Sequence, residues 1–220
     1  MINVGINGFG RIGRAIFRIN LKSNVFKVTA INDTNPSVDN LIYMLKYDST
    51  YGVLDDVIKN KHNSLNINNG KPIAVYNNEN ISDVPWDNHE VDIIIDSSGV
   101  HDNLNYKDIL KSKGVKHQIV TNTPDSQNID AYIIIGINEH IVDDSSFLIS
   151  SSICDASAFA PVVNILDKEL GVSHGFLTTL HPWLSYQNLL DGPSRSFAYP
   201  GSIIDNFGLG RSSINTIIPK

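Results

Sequence analysis

The sequence predicts an α/β fold: a doubly wound domain over residues 1–151, with a largely parallel sheet between two layers of helices, followed by the opening of a second domain over 152–220. Three observations carry this expectation. The chain begins with a short apolar strand that breaks at a glycine turn and runs straight into an amphipathic helix. Short continuous apolar runs then recur, the pattern of strands buried on both faces. Segments of helical period separate several of these runs, as parallel strands joined by crossovers require.

Ile2–Ile6 reads as the first strand, and Gly8-x-Gly10-x-x-Gly13 breaks it. Beyond the break, Ile12, Ala15, Ile16 and Ile19 recur at intervals of three and four, the face of a helix. In such a corner Gly8 allows a tight turn, Gly10 lets a pyrophosphate approach the backbone and Gly13 lets helix and strand pack closely. The helix N-terminus then faces the anion. A second strand, Phe26–Ile31, ends in Asn32-Asp33, twenty residues past Gly13, where a carboxylate suits the hydroxyls of an adenosine ribose. These residues together read as a Rossmann-type NAD-binding domain. Asp33 would also repel a 2′-phosphate, so NAD is expected over NADP.

Asn40–Lys46 has the period of a short helix, and Asn60–Asn80 reads as hairpin strands around the turn pair Asn69-Gly70. Ile93–Ile95, Ile119–Val120, Ile133–Ile135 and Phe147–Ile149 are the remaining apolar runs expected in the sheet, with a crossover helix at Asn103–Lys111. Ser98 and Gly99 leave the Ile93–Ile95 strand at its carboxyl end, where the ligand crevice of such a sheet lies, and are candidates to line the cofactor.

A net charge of −6 with no dense cluster of Lys and Arg gives no surface for nucleic acid. No apolar run reaches membrane-spanning length, and the N-terminus goes directly into a strand, so no membrane association is expected and the chain reads as cytoplasmic. The single cysteine, Cys154, rules out an internal disulfide and a Cys-rich zinc site, and no metal is expected. Cys154 precedes an apolar pattern, Phe159, Val162, Val163, Ile165, Leu166 and Leu170, that fits a helix ending before Gly171. That places the cysteine at a helix N-terminus, where the dipole favours a thiolate. Asp155 works against this by about 3 kcal/mol, for a carboxylate ~5 Å away at an effective dielectric near ~20. Gly175–His181 reads as a strand delivering His181 at its end. A cysteine with a nearby imidazole is what a thiol nucleophile needs, although spacing alone leaves a buried packing cysteine open.

Taken in order, INVGINGFGRIGR, LKYDSTYG, SSGV, the Ser-rich approach to Cys154, TTLH at 178–181, DGPS at 191–194 and GRSSINTIIP at 210–219 resemble the phosphorylating glyceraldehyde-3-phosphate dehydrogenase family, glycolysis-type enzymes. The resemblance implies that Arg11 and Ile12 contact the pyrophosphate, Asp33 the adenosine ribose, and Ser98 and Gly99 the cofactor. It makes Cys154 the nucleophile and His181 its base in the oxidation of an aldehyde through a thiohemiacetal and a thioester. It also implies a small aldehyde substrate and a homo-oligomer or a complementing second chain.

Several positions depart from the family pattern. Hydroxyls that would flank the nucleophile are replaced by Ile153 and Asp155, Leu184 stands for a threonine of the substrate-phosphate site, and Arg195–Leu209 is longer than the matching loop. Phosphate attack on the thioester is accordingly expected to be weak. The family continues well past the position of Lys220, so 152–220 reads as the start of an α+β catalytic domain, incomplete relative to the family. A fragment, a split subunit or a degenerate relative each fits. The competing functions are a cofactor-binding subunit without turnover and a non-redox, thioester-forming acyl hydrolase or transferase.

Overall fold

The computed structural model describes residues 1–124, 127–183, 187–192 and 207–217. The chain divides into two compact units, Met1–Asn164 and Ile165–Lys220.

In the first unit, β1 (Asn3–Asn7) leads through the glycine turn into α1 (Arg11–Ser23), which ends on Asn24 in the left-handed conformation at φ 49°. β2 (Lys27–Asn32) is followed by α2 (Val38–Lys46), whose first turn is capped by the Ser37 hydroxyl accepting from the Asn40 N–H at 3.2 Å. A small antiparallel ribbon follows, β3 (Tyr47–Asp48) and β4 (Gly52–Val53). Then come β5 (Ile58–Asn60), β6 (Ser64–Ile67), β7 (Ile73–Tyr76) and β8 (Ile93–Asp96). A 3₁₀ turn, His101–Tyr106, runs into α3 (Lys107–Ser112), and β9 (His117–Val120), β10 (Ala131–Tyr132) and β11 (Leu148–Ser150) complete the sheet. The sheet order is β10-β11-β9-β8-β1-β2-β7-β6-β5, parallel from β10 to β7, with β6 antiparallel to both its neighbours.

Both faces of this sheet are covered, which explains the continuous apolar runs. One cluster joins Val4, Ile6, Val28 and Ile31 of the strands to Phe17 of α1 and Leu41 and Leu45 of α2. The opposite cluster joins Ala30, Ile94 and Val120 to Leu110 of α3 and to Trp86. The wide edge of the sheet is a pair of tight hairpins. In Lys61–Ser64 the central His62 and Asn63 sit at φ 53° and 56°, and in Ile67–Gly70 the central Asn68 and Asn69 sit at φ 50° and 58°. Two consecutive left-handed residues are the signature of the turn whose twist matches a hairpin, and Asn tolerates that conformation well. The sheet closes on short edges: β10 has two residues, and β5 has three, with Lys59 and Asn60 exposed.

Three expected elements differ. Ile133–Ile135 lies outside the sheet, whose strand there is Ala131–Tyr132. The Ile134 N–H is taken by the Asn138 side chain at 2.7 Å and the Ile134 carbonyl accepts from Ile137 at 3.0 Å, so a turn displaces the ladder. The crossover expected at Asn103–Lys111 is split between the 3₁₀ turn and α3. Gly175–His181 forms no strand, and Phe176 and Leu180 are exposed. A lone extended segment has no ladder to hold it.

α4 (Cys154–Leu170) begins on the cysteine as expected, and the division between units falls within it. None of its residues is buried. In the second unit, 188–192 and 207–213 hold each other: Gly192 N–H donates to the Gly210 carbonyl at 2.8 Å, Ser213 N–H to Asn188 at 2.9 Å, and Asp191 accepts from Ser212 N–H at 2.8 Å. Leu184, Pro193-Ser194 and most of Arg195–Leu209 lie outside the described residues. Among those described, no helix is long and apolar enough to cross a membrane.

Candidate functional site

The strand order reverses at β1, with β2 on one side and β8 on the other, and the loops leaving their carboxyl ends meet there. Gly8 follows β1 at φ +86°, and a Cβ on it would lie 2.5 Å from the Ser98 backbone nitrogen. A Cβ on Gly13 would run into the Gly8 carbonyl and sit 2.9 Å from the Ser97 hydroxyl, so the first turn of α1 rests directly on the glycine turn. Gly10 is different. A Cβ there would meet nothing within 4 Å, and no side chain caps the helix that starts after it. The start of α1 is therefore uncapped and open at Gly10, which fits an approaching pyrophosphate.

Asp33 follows β2 and spans two segments: Oδ2 accepts the Phe9 N–H at 2.6 Å and Oδ1 the Asn35 N–H at 2.9 Å. Each carboxylate oxygen keeps a lone pair for a ribose hydroxyl. The Arg11 side chain engages the β3–β4 ribbon, donating to Thr50 Oγ1 at 3.0 Å beside Asp48 at 3.9 Å. Asp48 in turn is held below its ordinary pKa, first by the Tyr51 N–H. Ile12, the residue after Arg11, is exposed. Arg14, which the sequence reading passed over, is buried and braces the turn by donating to the Phe9 carbonyl at 2.9 Å. Burial lowers its pKa.

On the other side of the reversal, the Ser98 hydroxyl donates to Asp96 at 2.6 Å and accepts from Val100 N–H at 3.2 Å and Asn103 at 3.0 Å. Its hydroxyl is used within the loop, and the half-buried Gly99, at φ +74°, has nothing within 4 Å of where a Cβ would stand. The sequence reading also missed a row of buried side chains across the strand ends. Asn32 donates to Asn7 at 2.8 Å, Asn7 to Asp96 at 3.0 Å, and Asn103 and Gln118 to the other Asp96 oxygen at 3.0 and 3.1 Å. The signal was present in the ladder register: Asn7 pairs with Asn32 and with Asp96, the polar ends of three apolar runs.

Residues 2–104 match the family described as glyceraldehyde 3-phosphate dehydrogenase, NAD binding domain. These residues form an NAD-binding domain of that family. The similarity continues beyond them. A glyceraldehyde-3-phosphate dehydrogenase of Mycosarcoma maydis is 36% identical over 219 residues, covering 100% of this chain and 61% of its own length. Glyceraldehyde-3-phosphate dehydrogenase 1 of Kluyveromyces marxianus is 33% identical over 220 residues, covering 100% and 63%. The enzyme of Mycoplasma pneumoniae is 33% identical over 193 residues, covering 87% and 56%. The chain thus spans about three fifths of the length of these curated relatives.

The glycine turn and the carboxylate at the end of β2 fit NAD, and they bear on its selectivity. NAD is expected to bind at least ~10-fold more tightly than NADP, about 1.4 kcal/mol, because Asp33 meets hydroxyls and repels a phosphate. Titration calorimetry with both dinucleotides checks this, and equal affinities would remove Asp33 from the ribose site.

Cys154 is the first residue of α4 and is exposed. The serines before it are pinned to the sheet, Ser150 donating to the Asn122 carbonyl at 2.6 Å and Ser151 to Val120 at 3.3 Å. Asp155 lies in the first turn beside it. His181 belongs to the second unit, on an exposed segment without regular structure. The residues expected to hold the cofactor are thus gathered at one corner of the first unit; Cys154 belongs to the first unit and His181 to the second.

Proposed function

We propose that this chain is an NAD-dependent aldehyde dehydrogenase of the glyceraldehyde-3-phosphate dehydrogenase type, with residues 1–151 holding the cofactor and 152–220 opening the catalytic domain. The observation that carries the reading is an exposed cysteine at the start of α4, directly after an NAD domain, in a chain 36% identical over 219 residues to a glyceraldehyde-3-phosphate dehydrogenase. Backbone N–H groups at Arg11 and Ile12 would bind the pyrophosphate, Asp33 the adenosine ribose, and the Ser98–Gly99 loop the remainder of the cofactor. The Cys154 thiolate would attack the aldehyde carbon, with His181 taking the proton from the thiohemiacetal hydroxyl. Bound NAD supplies the hydride acceptor. The thioester left on Cys154 would then pass to an acyl acceptor. Ile153 brings no donor and Asp155 brings a charge that repels an incoming phosphate dianion, so water or another nucleophile is favoured. The enzyme would work in the cytoplasm as a homo-oligomer or with a complementing chain.

The test follows NADH absorbance with a panel of aldehydes, with and without phosphate. Turnover is expected to rise less than ~2-fold with millimolar phosphate and to vanish in Cys154→Ser, with covalent catalysis lost. Steep, saturable activation by phosphate would overturn the reading of Ile153 and Asp155. NAD binding without turnover of any aldehyde would favour the cofactor-binding subunit, the reading that Asp155 beside the thiol supports.

A further inference from the structure

Asp96 closes β8 at the point where the strand order reverses, and it is 4% exposed. Five hydrogen bonds reach its carboxylate: from Asn7 Nδ2 at 3.0 Å, Ser98 N–H at 3.1 Å, Ser98 Oγ at 2.6 Å, Asn103 Nδ2 at 3.0 Å and Gln118 Nε2 at 3.1 Å. They come from β1, the loop after β8, the 3₁₀ turn and β9, and every one comes from a neutral group. An ionised carboxylate can accept all five, whereas a protonated one would have to turn a donor toward donors. Burial is the largest effect and raises the Asp96 pKa, while each of these bonds works against that rise by favouring the ionised form. The five donors hold the carboxylate as a buried negative charge, with no cation among the described residues bonded to it, in surroundings where charges are weakly screened.

A dinucleotide lies across the reversal point with one nucleotide on each half of the sheet. Asp33 sits on the half made of β1 and β2, which takes the adenosine. The half made of β8, β9 and β11 is left for the nicotinamide nucleotide, and Asp96 is the charge at its first strand end. The oxidised ring carries a positive charge and the reduced ring carries none. From this we infer that Asp96 makes the site prefer the oxidised cofactor over the reduced one, beyond its part in shaping the Ser98–Gly99 loop. The inference rests on the NAD assignment and extends it to the redox poise of the bound cofactor.

The test compares the affinities of NAD and NADH by calorimetry for the intact chain and for variants, with no turnover needed. Asp96→Asn is expected to lower the NAD-to-NADH affinity ratio about 10-fold, a rise of about 30 mV in the potential of the bound two-electron couple. Asp96→Thr is a second neutral variant, and the one with a cooperative melting curve is read. Asn103→Ala removes a donor from the same loop but keeps the charge, and it should weaken both forms alike. Equal weakening of NAD and NADH by the neutral variant would overturn the inference, leaving Asp96 a packing residue. So would an equally large change of ratio in Asn103→Ala. Failure of the unmodified chain to bind either form would instead overturn the cofactor assignment, and it would be seen before any variant is made.

Discussion

Gly13→Ala is expected to cost the protein its fold or at least ~3 kcal/mol, whereas Gly10→Ala, three residues away, is expected to keep the fold and lose the cofactor. The difference follows from what each methyl group would meet. At position 13 it collides with the Gly8 backbone carbonyl, which cannot move without unseating β1 or α1. For a chain of this size a loss of that order lowers the melting temperature by roughly 6–12 °C. At position 10 the methyl meets nothing, and an alanine in place of glycine before a helix costs about 1 kcal/mol at most. It would, however, occupy the open space through which a pyrophosphate reaches the first turn of α1. NAD affinity should fall ~100-fold or more, about 2.7 kcal/mol. Melting curves and calorimetry on the two variants check both halves. A Gly13→Ala protein that melts with the wild type, or a Gly10→Ala protein that binds NAD normally, would contradict the assigned geometry.

Trp86→Ala should be the most damaging change in the core, at about 3–5 kcal/mol. The ring is 0% exposed, and its Nε1 donates to the Ile81 carbonyl at 2.9 Å. Its packing depends on a glycine: a Cβ on Gly5 of β1 would lie 2.6 Å from Trp86 Cζ3, so the indole lies against bare backbone. Two consequences follow. Trp86→Phe should cost less but still about 1–3 kcal/mol, because the Ile81 carbonyl loses its donor. Gly5→Ala should be severe in the wild type and mild in the Trp86→Ala background, where the collision is gone. A double-mutant cycle on thermal or urea unfolding measures that coupling. Additive effects would mean that Trp86 and Gly5 do not share one space.

The glycine corner was legible because Gly8 and Gly13 answer backbone constraints set by neighbouring residues, and the helix that starts on Cys154 was legible from its local apolar period. The apolar runs gave the parallel strands for the same local reason. Ile133–Ile135 shows where that logic stops: three isoleucines look like a strand, yet one Asn138 side chain four residues on takes the N–H the ladder would need. Asn7, Asn32, Asn103 and Gln118 escaped notice because amides near strand ends are ordinary turn residues in a sequence. Only the register of β1 against β2 and β8 lines them up with Asp96.

The short borders of the sheet bear on how the protein behaves at high concentration. An open strand edge is a template on which another chain can add by backbone pairing, and long, flat, apolar edges propagate such addition into insoluble fibres. Here one border offers two residues and the other three, with the charged Lys59 exposed on the latter. A second molecule docking on either border would gain few ladder bonds, and at β5 it would have to accommodate a lysine. The first unit thus carries a built-in resistance to edge-to-edge polymerisation, while the buried, apolar middle strands that would polymerise readily are never presented unless the sheet itself comes apart.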